Sequence, residues 1–527
     1  MINIFKNSLL FKFFVKIIYF YKQGFIYKST ENIKERYKFS KTKILWNNFT
    51  NSESLVYSSF YNKIVMQIER FFEFLGFLYE NSFLCKIFNF FVNTFLKIAT
   101  SSFILKPFVK IGFKGTLLLI FGLYLPIDYF LRSVLKVYFL ASVWDELLMI
   151  GFFITVIYRI ALKKSPKTSK TTPLDSYIFL FLTAGLFLMC YVSPIFSIAF
   201  DGYRAVVQYI LWFFVIVRLI ENDDDFKILY NTFVGLIIFL GIHCIYQFII
   251  AVEVPASWTS ETEYSVRTRV FSLTGSPNIM GALIVLLTPM VTAYFYTGKN
   301  LFIKLTAGFF TVMLCFAVLF TFSKGAWVGM AVAVIIFAIF VDRRILSLLL
   351  MAGAFVVIAV PSVTNRITYL FTSDYAEASA VGGRTLRWAF GFELLEQCDA
   401  FFGFGLGRFG GAVAMQNQVI EITDDFEYFY MDNYYLKTLV EMGYMGLFFY
   451  LLLLVAFLVL SVKAIGRIYN TELYIPCVAM FSGMCGVLIH CYFENIFEVP
   501  YMTGYFWAMA GMIMYAGFIK KRKNNLN

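Results

Sequence analysis

Residues 433–462 read NYYLKTLVEMGYMGLFFYLLLLVAFLVLSV, and no charged residue falls between Met442 and Val462. A helix over that charge-free part is about 30 Å long, the thickness of bilayer hydrocarbon. The stretch therefore reads as a membrane-spanning helix. Similar windows lie near 115–133, 143–161, 175–193, 200–220, 228–251, 276–297, 302–322, 325–341, 345–363, 473–492 and 500–518. The window at 115–133 is the weakest, because Pro126, Asp128 and Arg132 interrupt it.

Composition agrees with this pattern. The 527 residues are 60% hydrophobic and 15% charged, with a mean hydropathy of +0.73. A soluble domain carries about 25% charged residues, so a soluble globular fold is excluded. The expected fold is all-α, a polytopic membrane protein of about twelve spans. It has a long outer loop at 364–431 and an N-terminal amphipathic helical extension. The eight cysteines are scattered, with no Cys-x-x-Cys and no Cys/His metal spacing. Neither a disulfide framework nor a metal site is expected, and no cofactor is implied. No small-residue cleavage site follows the first apolar stretch, so a cleaved signal peptide is not expected.

Charge gives the orientation. Cytoplasmic loops are enriched in Lys and Arg. With both termini in the cytoplasm, the inner segments hold Lys163, Lys164, Lys167 and Lys170, then Arg218 and Lys227, Lys299 and Lys304, Arg343 and Arg344, and Lys463 and Arg467. The tail adds Lys520, Lys521, Arg522 and Lys523. The 364–431 loop has four Arg against nine Asp or Glu.

Residues 1–113 differ from the spanning region at 114–520. Apolar and aromatic residues alternate there with Lys, and residues 1–114 carry a net +11 of the chain's +12. They read as basic amphipathic helices on the cytoplasmic membrane face. A cytoplasmic helical domain that binds a partner is the alternative. Nucleic acid is not an expected partner, because the aromatics follow helix spacing.

Ionisable residues near membrane depth are candidates for function. On this topology Arg267, Arg269, Lys324, Arg384, Arg387, Asp432, His490, Glu494 and Glu498 gather at outer span ends or outer loops. Positive charge is disfavoured on that side, so the cations need another explanation, and pairing with nearby Asp or Glu is the plain one. Asn278, behind Gly275 and Pro277, lies near the N-terminus of its span, or caps it. A helix N-terminus beside an Arg attracts phosphate. Asp432 has an N-capping alternative. The Gly403-Phe-Gly405-Leu-Gly407 run reads as a flexible loop, Asp223–Asp225 as a helix start, and His243 as a core residue.

Several stretches together resemble the O-antigen ligase and polymerase superfamily, of the Wzy/WaaL type. They are Arg269 before Gly275-x-Pro277-Asn278; Ser323-Lys324-Gly325; Gly383-Arg384 with Trp388 and Gly405-x-Gly407; and Asp432-Asn433-x-Tyr435-Leu436 with Glu441 and Gly443. The resemblance covers roughly residues 115–520. It implies a membrane glycosyltransferase that moves a glycan from an undecaprenyl-pyrophosphate donor to a sugar acceptor on the outer face of the cell membrane. The partners implied are that lipid-linked glycan, membrane lipid and other polysaccharide-assembly proteins.

By the same resemblance Arg269, Arg384 and Asp432 are the expected catalytic residues. Arg267, Lys324, Asn278, Arg387, Asn433, His490 and Glu494 are the expected substrate-binding ones. Fixed cations neutralise a leaving pyrophosphate without metal. Ligases of the family begin the 432 motif with His-Asn, whereas this chain has Asp432-Asn433. Asp432, Glu494 and His490 are all open as the base. With two His in the chain, a polymerase is favoured over a ligase. A transporter or flippase for a lipid-linked anionic glycan is the competing class.

Overall fold

The structure is a computed structural model that describes residues 43–44, 47–48, 60–103, 105–162, 171–255, 268–359, 364–365, 368, 372–373, 384–420 and 428–520. Arg267 and residues 366–367, 369–371, 374–383 and 421–427 of the 364–431 loop lie outside this set. Two compact units are distinguished, Met1–Ser54 and Leu55–Asn527. The first is described at four residues only.

Among the described residues every regular element is helical. In chain order they are α1 (Phe60–Glu80), α2 (Phe83–Ser101), α3 (Lys106–Gly122), α4 (Tyr124–Tyr129), α5 (Tyr138–Ala161), α6 (Asp175–Tyr191), α7 (Phe196–Val207), α8 (Leu211–Leu219) and α9 (Asp223–Ile249). Then come α10 (Pro277–Thr297), α11 (Leu301–Phe320), α12 (Lys324–Phe340), α13 (Arg344–Ala359), α14 (Arg384–Glu396), α15 (Ala412–Asn417), α16 (Tyr434–Arg467), α17 (Tyr474–His490) and α18 (Pro500–Met514).

Each apolar window read from the sequence overlaps a helix or a consecutive helix pair over its described residues. The count of spans is a separate matter. Among the described residues seven helices are long and apolar enough to cross a membrane, and up to nine if each bent pair is one span. One bent pair, 106–122 with 124–134, turns by 69° within the window interrupted by Pro126. The other, 63–80 with 85–101, turns by 81° and falls in the segment read as amphipathic. Three expected spans, α6, α12 and α17, are shorter apolar helices of 17 residues.

Local sequence explains the helix starts. Ser276 caps α10 through Ile279 N with Pro277 at the first position, and Asn300 caps α11 by accepting from Ile303 N at 2.9 Å. Asn222 caps α9 by accepting from Asp225 N at 2.8 Å, so Asp223–Asp225 is a helix start. The centre of the bundle is α10, α17 and α18, with α17 lodged between α10 and α12. Small residues let these backbones approach: a Cβ at Gly486 would lie 2.5 Å from Gly329 O. An aromatic cluster of Phe121, Phe152, Trp212, Phe233 and Tyr505 fills the space between α3, α5, α8, α9 and α18. Tyr505 Oη donates to Gly122 O at 2.9 Å and accepts from Leu125 N at 3.3 Å, pairing backbone groups freed by the α3–α4 bend.

The two ends of the bundle are polar in different ways. One end carries ion pairs across helices: Arg218 with Asp175 at 3.2 Å, Lys114 with Asp225 at 2.6 Å, Arg159 with Glu221, and Lys520 with Asp223 at 2.6 Å. The other end gathers most of the candidate residues.

Candidate functional site

The segment before α10 is strapped to its neighbours. Thr268 Oγ1 donates to Val252 O at 2.6 Å, and Val270 N to Phe320 O at 3.1 Å. Gln247 Oε1, near the end of α9, accepts from Phe271 N at 3.0 Å and Ser272 N at 2.8 Å. His243, half-buried one turn earlier, meets Ser272 Oγ at 2.9 Å, a site-end contact where a core residue was expected.

This strapping buries Arg269 and aims its guanidinium across the α11–α12 turn. Arg269 Nε donates to Thr321 O at 3.0 Å, and Nη2 to Asn278 Oδ1 at 3.1 Å. The turn it holds is strained: Phe322 sits at φ +51°, a conformation that costs a residue with a Cβ about 1–2 kcal/mol. Lys324 opens α12 directly after the turn and is half-buried. Gly325 leaves room for His490, since a Cβ there would lie 2.6 Å from the imidazole Cδ2. His490 is fully buried. Its Nε2 is 3.4 Å from Ser323 Oγ, and its Nδ1 has no hydrogen-bond partner.

Asn278 lies just inside α10, and Ser276 is the residue that caps it. The Asn278 side chain links two groups, accepting from Arg269 and donating through Nδ2 to Glu494 Oε2. Glu494 stands in the turn between α17 and α18. Burial, first of all, pushes its carboxyl above the ordinary carboxylate value, and the neighbouring Asp432 charge adds to this. The Asn278 hydrogen bond and the Arg384 charge act in the opposite direction.

Arg384 begins α14. Its Nε donates to Asp432 Oδ2 at 2.8 Å and its Nη2 to Phe493 O at 3.0 Å. Trp388, one turn on, donates Nε1 to Asp432 Oδ1 at 2.9 Å. Both Asp432 oxygens are thus engaged by side chains of α14. The capping role falls to the next residue: Asn433 Oδ1 accepts from Tyr435 N and Leu436 N, each at 3.0 Å. This corrects one expectation, since Asp432 is not the N-cap of α16. The Asn433 side-chain oxygen is used by the helix start. Arg387 lies over the Phe429 ring at 5.6 Å, and no contact with Asp432 is observed.

A buried ion cluster lies behind this site. Lys437 Nζ is 2.8 Å from Glu441 Oε2 and 3.4 Å from Glu498 Oε2. Glu441 Oε1 accepts from Phe409 N at 3.2 Å, and Glu498 Oε1 from Ala412 N at 2.7 Å. Through these bonds the cluster fixes the 403–412 segment. That segment was expected to be a flexible loop, but it docks backbone to backbone on α16. Phe404 N donates to Val440 O at 2.7 Å, Gly405 N to Glu441 O at 3.0 Å, and Tyr444 N to Ala400 O at 3.0 Å. The docking needs a break in α16 at Gly443, where φ is +63°. It also needs glycine at 403, where φ is +85° and a Cβ would fall 2.3 Å from Gly443 N. The sequence reading named Glu441, Glu498 and the glycines without joining them. Its one local signal for the cluster was the i, i+4 spacing of Lys437 and Glu441 in an otherwise apolar span.

Arg269, Asn278, Ser323, Arg384, Asp432, His490 and Glu494 are therefore brought into one connected region from remote parts of the chain. Arg387 stands one turn away. Among the described residues no three His, Cys, Asp or Glu side chains gather to hold a metal ion. The arrangement can bind an anion at Arg384 and move a proton at Glu494.

No curated protein matches the chain. Residues 309–451, which include Lys324, Arg384, Asp432 and Glu441, match the family model described as O-Antigen ligase (Wzy_C), and over that segment the resemblance to the O-antigen ligase and polymerase superfamily is shown.

Proposed function

We propose that the chain is a polysaccharide polymerase, or a ligase, of the cell envelope. It transfers a glycan from an undecaprenyl-pyrophosphate donor to a sugar hydroxyl on the outer face of the cell membrane, without a metal ion. The observation that carries this reading is the joint hold of Arg384 and Trp388 on Asp432, next to Glu494.

Arg384 is a fork of donors at the start of an amphipathic helix, suited to phosphate oxygens. Its partner in the structure is Asp432. A pyrophosphate that takes over the guanidinium replaces one anion with another, so the cation is never left unpaired. Lys324 and Arg387 stand nearby as further cations. Arg269 acts from below, holding the strained turn that carries Ser323 and Lys324.

In the reaction, the acceptor hydroxyl oxygen bonds to the anomeric carbon. The bond from that carbon to the pyrophosphate oxygen breaks, and its electron pair leaves with the pyrophosphate. The hydroxyl proton passes to a carboxylate, for which Glu494 is the assignment. Its raised proton affinity brings it closer to neutral pH, where a general base works best. Residues 1–113 lie on the cytoplasmic membrane face in this reading. Exposed Phe74, Phe77, Phe91 and Phe95 on α1 and α2 support contact with lipid.

The test is a reconstituted vesicle with the lipid-linked donor confined to the outer leaflet. Product formed there means transfer, whereas donor appearing in the lumen without product means a flippase. Arg384→Ala and Glu494→Gln should each abolish polymer growth or ligation at normal membrane insertion. Unchanged glycan products in both variants would defeat the proposal.

A further inference from the structure

Asn495 follows Glu494 in the turn between α17 and α18, and its side chain is buried. Its Nδ2 donates to Gly410 O at 3.3 Å, whereas its Oδ1 is enclosed and has no hydrogen-bond partner. The amide cannot turn over, because Oδ1 would then face a second acceptor. A buried polar atom left unpaired costs about 1–3 kcal/mol, and a leucine of similar size would avoid that cost. The Gly410 carbonyl does not need the amide, since it also accepts from Met431 N at 3.0 Å. Stability alone therefore does not call for an asparagine here. Met431 precedes Asp432 as Asn495 follows Glu494, so one oxygen is shared by the immediate neighbours of the two carboxylates. Gly410 stands at φ +61°, and a Cβ there would lie 2.6 Å from Met431 Cβ. Its segment is fixed on either side in sequence, by Glu441 through Phe409 N and by Glu498 through Ala412 N.

We infer that Asn495 is a positioning residue, whose bond to Gly410 O sets how the Glu494 carboxyl stands relative to Asp432. The inference rests on the assignment of Glu494 as the group that takes the acceptor proton. The 493–495 turn is held by Arg384 on Phe493 O, by Asn278 on Glu494 and by Asn495 on Gly410. In the proposed reaction the Arg384 guanidinium is drawn to pyrophosphate, and Asn278 touches the reacting carboxyl itself. The Asn495 bond involves neither, so it keeps the turn in register while charge and proton move. Its effect reaches the proton affinity of Glu494. Burial raises that affinity and the Asp432 charge adds to it, and both depend on where the turn sits. The Asn495 backbone N–H acts the other way, by favouring the carboxylate.

The experiment measures Asn495→Leu in the full-length protein, reading kcat, KM and the acid limb of the pH profile, with Tm as the control on folding. Leucine keeps the volume and removes both amide groups. Tm should hold at the wild-type value or rise. kcat should fall by up to about 10²-fold, the effect of displacing a reacting group by about 1 Å, with KM little changed. The acid limb should move to lower pH, because a freed Glu494 gains water and draws away from Asp432. Gly410→Ala strains the same carbonyl from the Met431 side, so the double variant should lose less than the two single losses combined. An unmoved acid limb, whatever the fall in kcat and Tm, would reduce Asn495 to a structural role and overturn the inference. Asn495→Ala, too small to clash, decides the same question should the leucine variant misfold. Glu494→Gln separates the inference from the assignment beneath it. If Glu494→Gln stays active, the assignment falls and takes the inference with it. If Glu494→Gln is inactive while Asn495→Leu keeps the wild-type kcat and acid limb, the inference alone falls.

Discussion

Arg384 and Asp432 form an ion pair in which Nε and Oδ2 are 2.8 Å apart, between a residue that opens α14 and one that stands just before α16. The pair is partly open to solvent, so its contribution to stability is small. Its significance lies in what else the two groups hold, the Phe493 carbonyl on one side and Trp388 on the other. A pyrophosphate competes with Asp432 for the same donors.

Arg384→Ala should lower transfer by about 10²–10³-fold, the usual effect of removing one preorganised donor to a developing negative charge. Arg384→Lys should not restore it, because an ammonium cannot span Asp432 and Phe493 O in one plane. Turnover of a purified lipid-linked donor measures both variants. Insertion level and Tm should match the wild type, separating a chemical defect from a folding one.

Arg269 should behave in the opposite way. It is buried, and Thr321 O and Asn278 Oδ1 depend on it. Arg269→Ala leaves both acceptors unpaired, at about 1–3 kcal/mol for each, and frees the turn at Phe322. Tm in detergent should fall by several degrees, and activity should fall with it. A variant with wild-type Tm and no activity would instead place Arg269 on the substrate.

The break in α16 is a third test. Gly403→Ala and Gly443→Ala each put a Cβ within 2.4 Å of backbone atoms at a positive φ. Backbone strain of this kind costs about 1–3 kcal/mol. The collision adds to it by pushing the 403–412 segment away from Glu441. Both variants should insert in the membrane and lose about tenfold or more in transfer, since roughly 1.4 kcal/mol of barrier is worth that factor. Gly235→Ala, on the open side of α9 where a Cβ meets nothing within 4 Å, is the control and should be neutral.

These cases show which parts of the molecule were legible in the sequence. A charge-free run such as Met442–Val462 is a local property, so the helices could be placed from it. The span count was less legible, because α6, α12 and α17 sit at the lower limit of spanning length. They differ from longer spans only in where their helices stop. The 69° bend at Leu123 depends on Tyr505, which is remote in sequence. At the site, the chemistry-bearing residues were visible as charges at span ends that the positive-inside pattern left unexplained, but their roles were not. Whether Asp432 or Asn433 caps α16 is a matter of one residue, and α14 settles it by claiming the aspartate. The docking of Gly403 on Gly443 requires two distant glycines to meet, which no local pattern announces.

The proton affinity of Glu494 gives the last prediction, and its sign follows from the groups around it. Burial raises its pKa, so the ionised form that accepts a proton is lost at a higher pH than for an ordinary carboxyl. Transfer should therefore decline on the acid side with a midpoint above the ordinary Glu value. The same shift acts on folding. The native state holds this proton more tightly than the unfolded chain, so the stabilising contribution is complete below the unfolded pKa and is lost as pH rises through the folded one. Two substitutions should move the acid limb in opposite directions. Asn278→Ala removes a hydrogen bond that favours the carboxylate, so the limb should shift to higher pH. Asp432→Asn removes a negative charge that opposes ionisation, so it should shift to lower pH. Residual activity as a function of pH, measured on both variants with the same donor, checks this. A limb that stays in place in both would exclude Glu494 as the group whose ionisation the reaction needs.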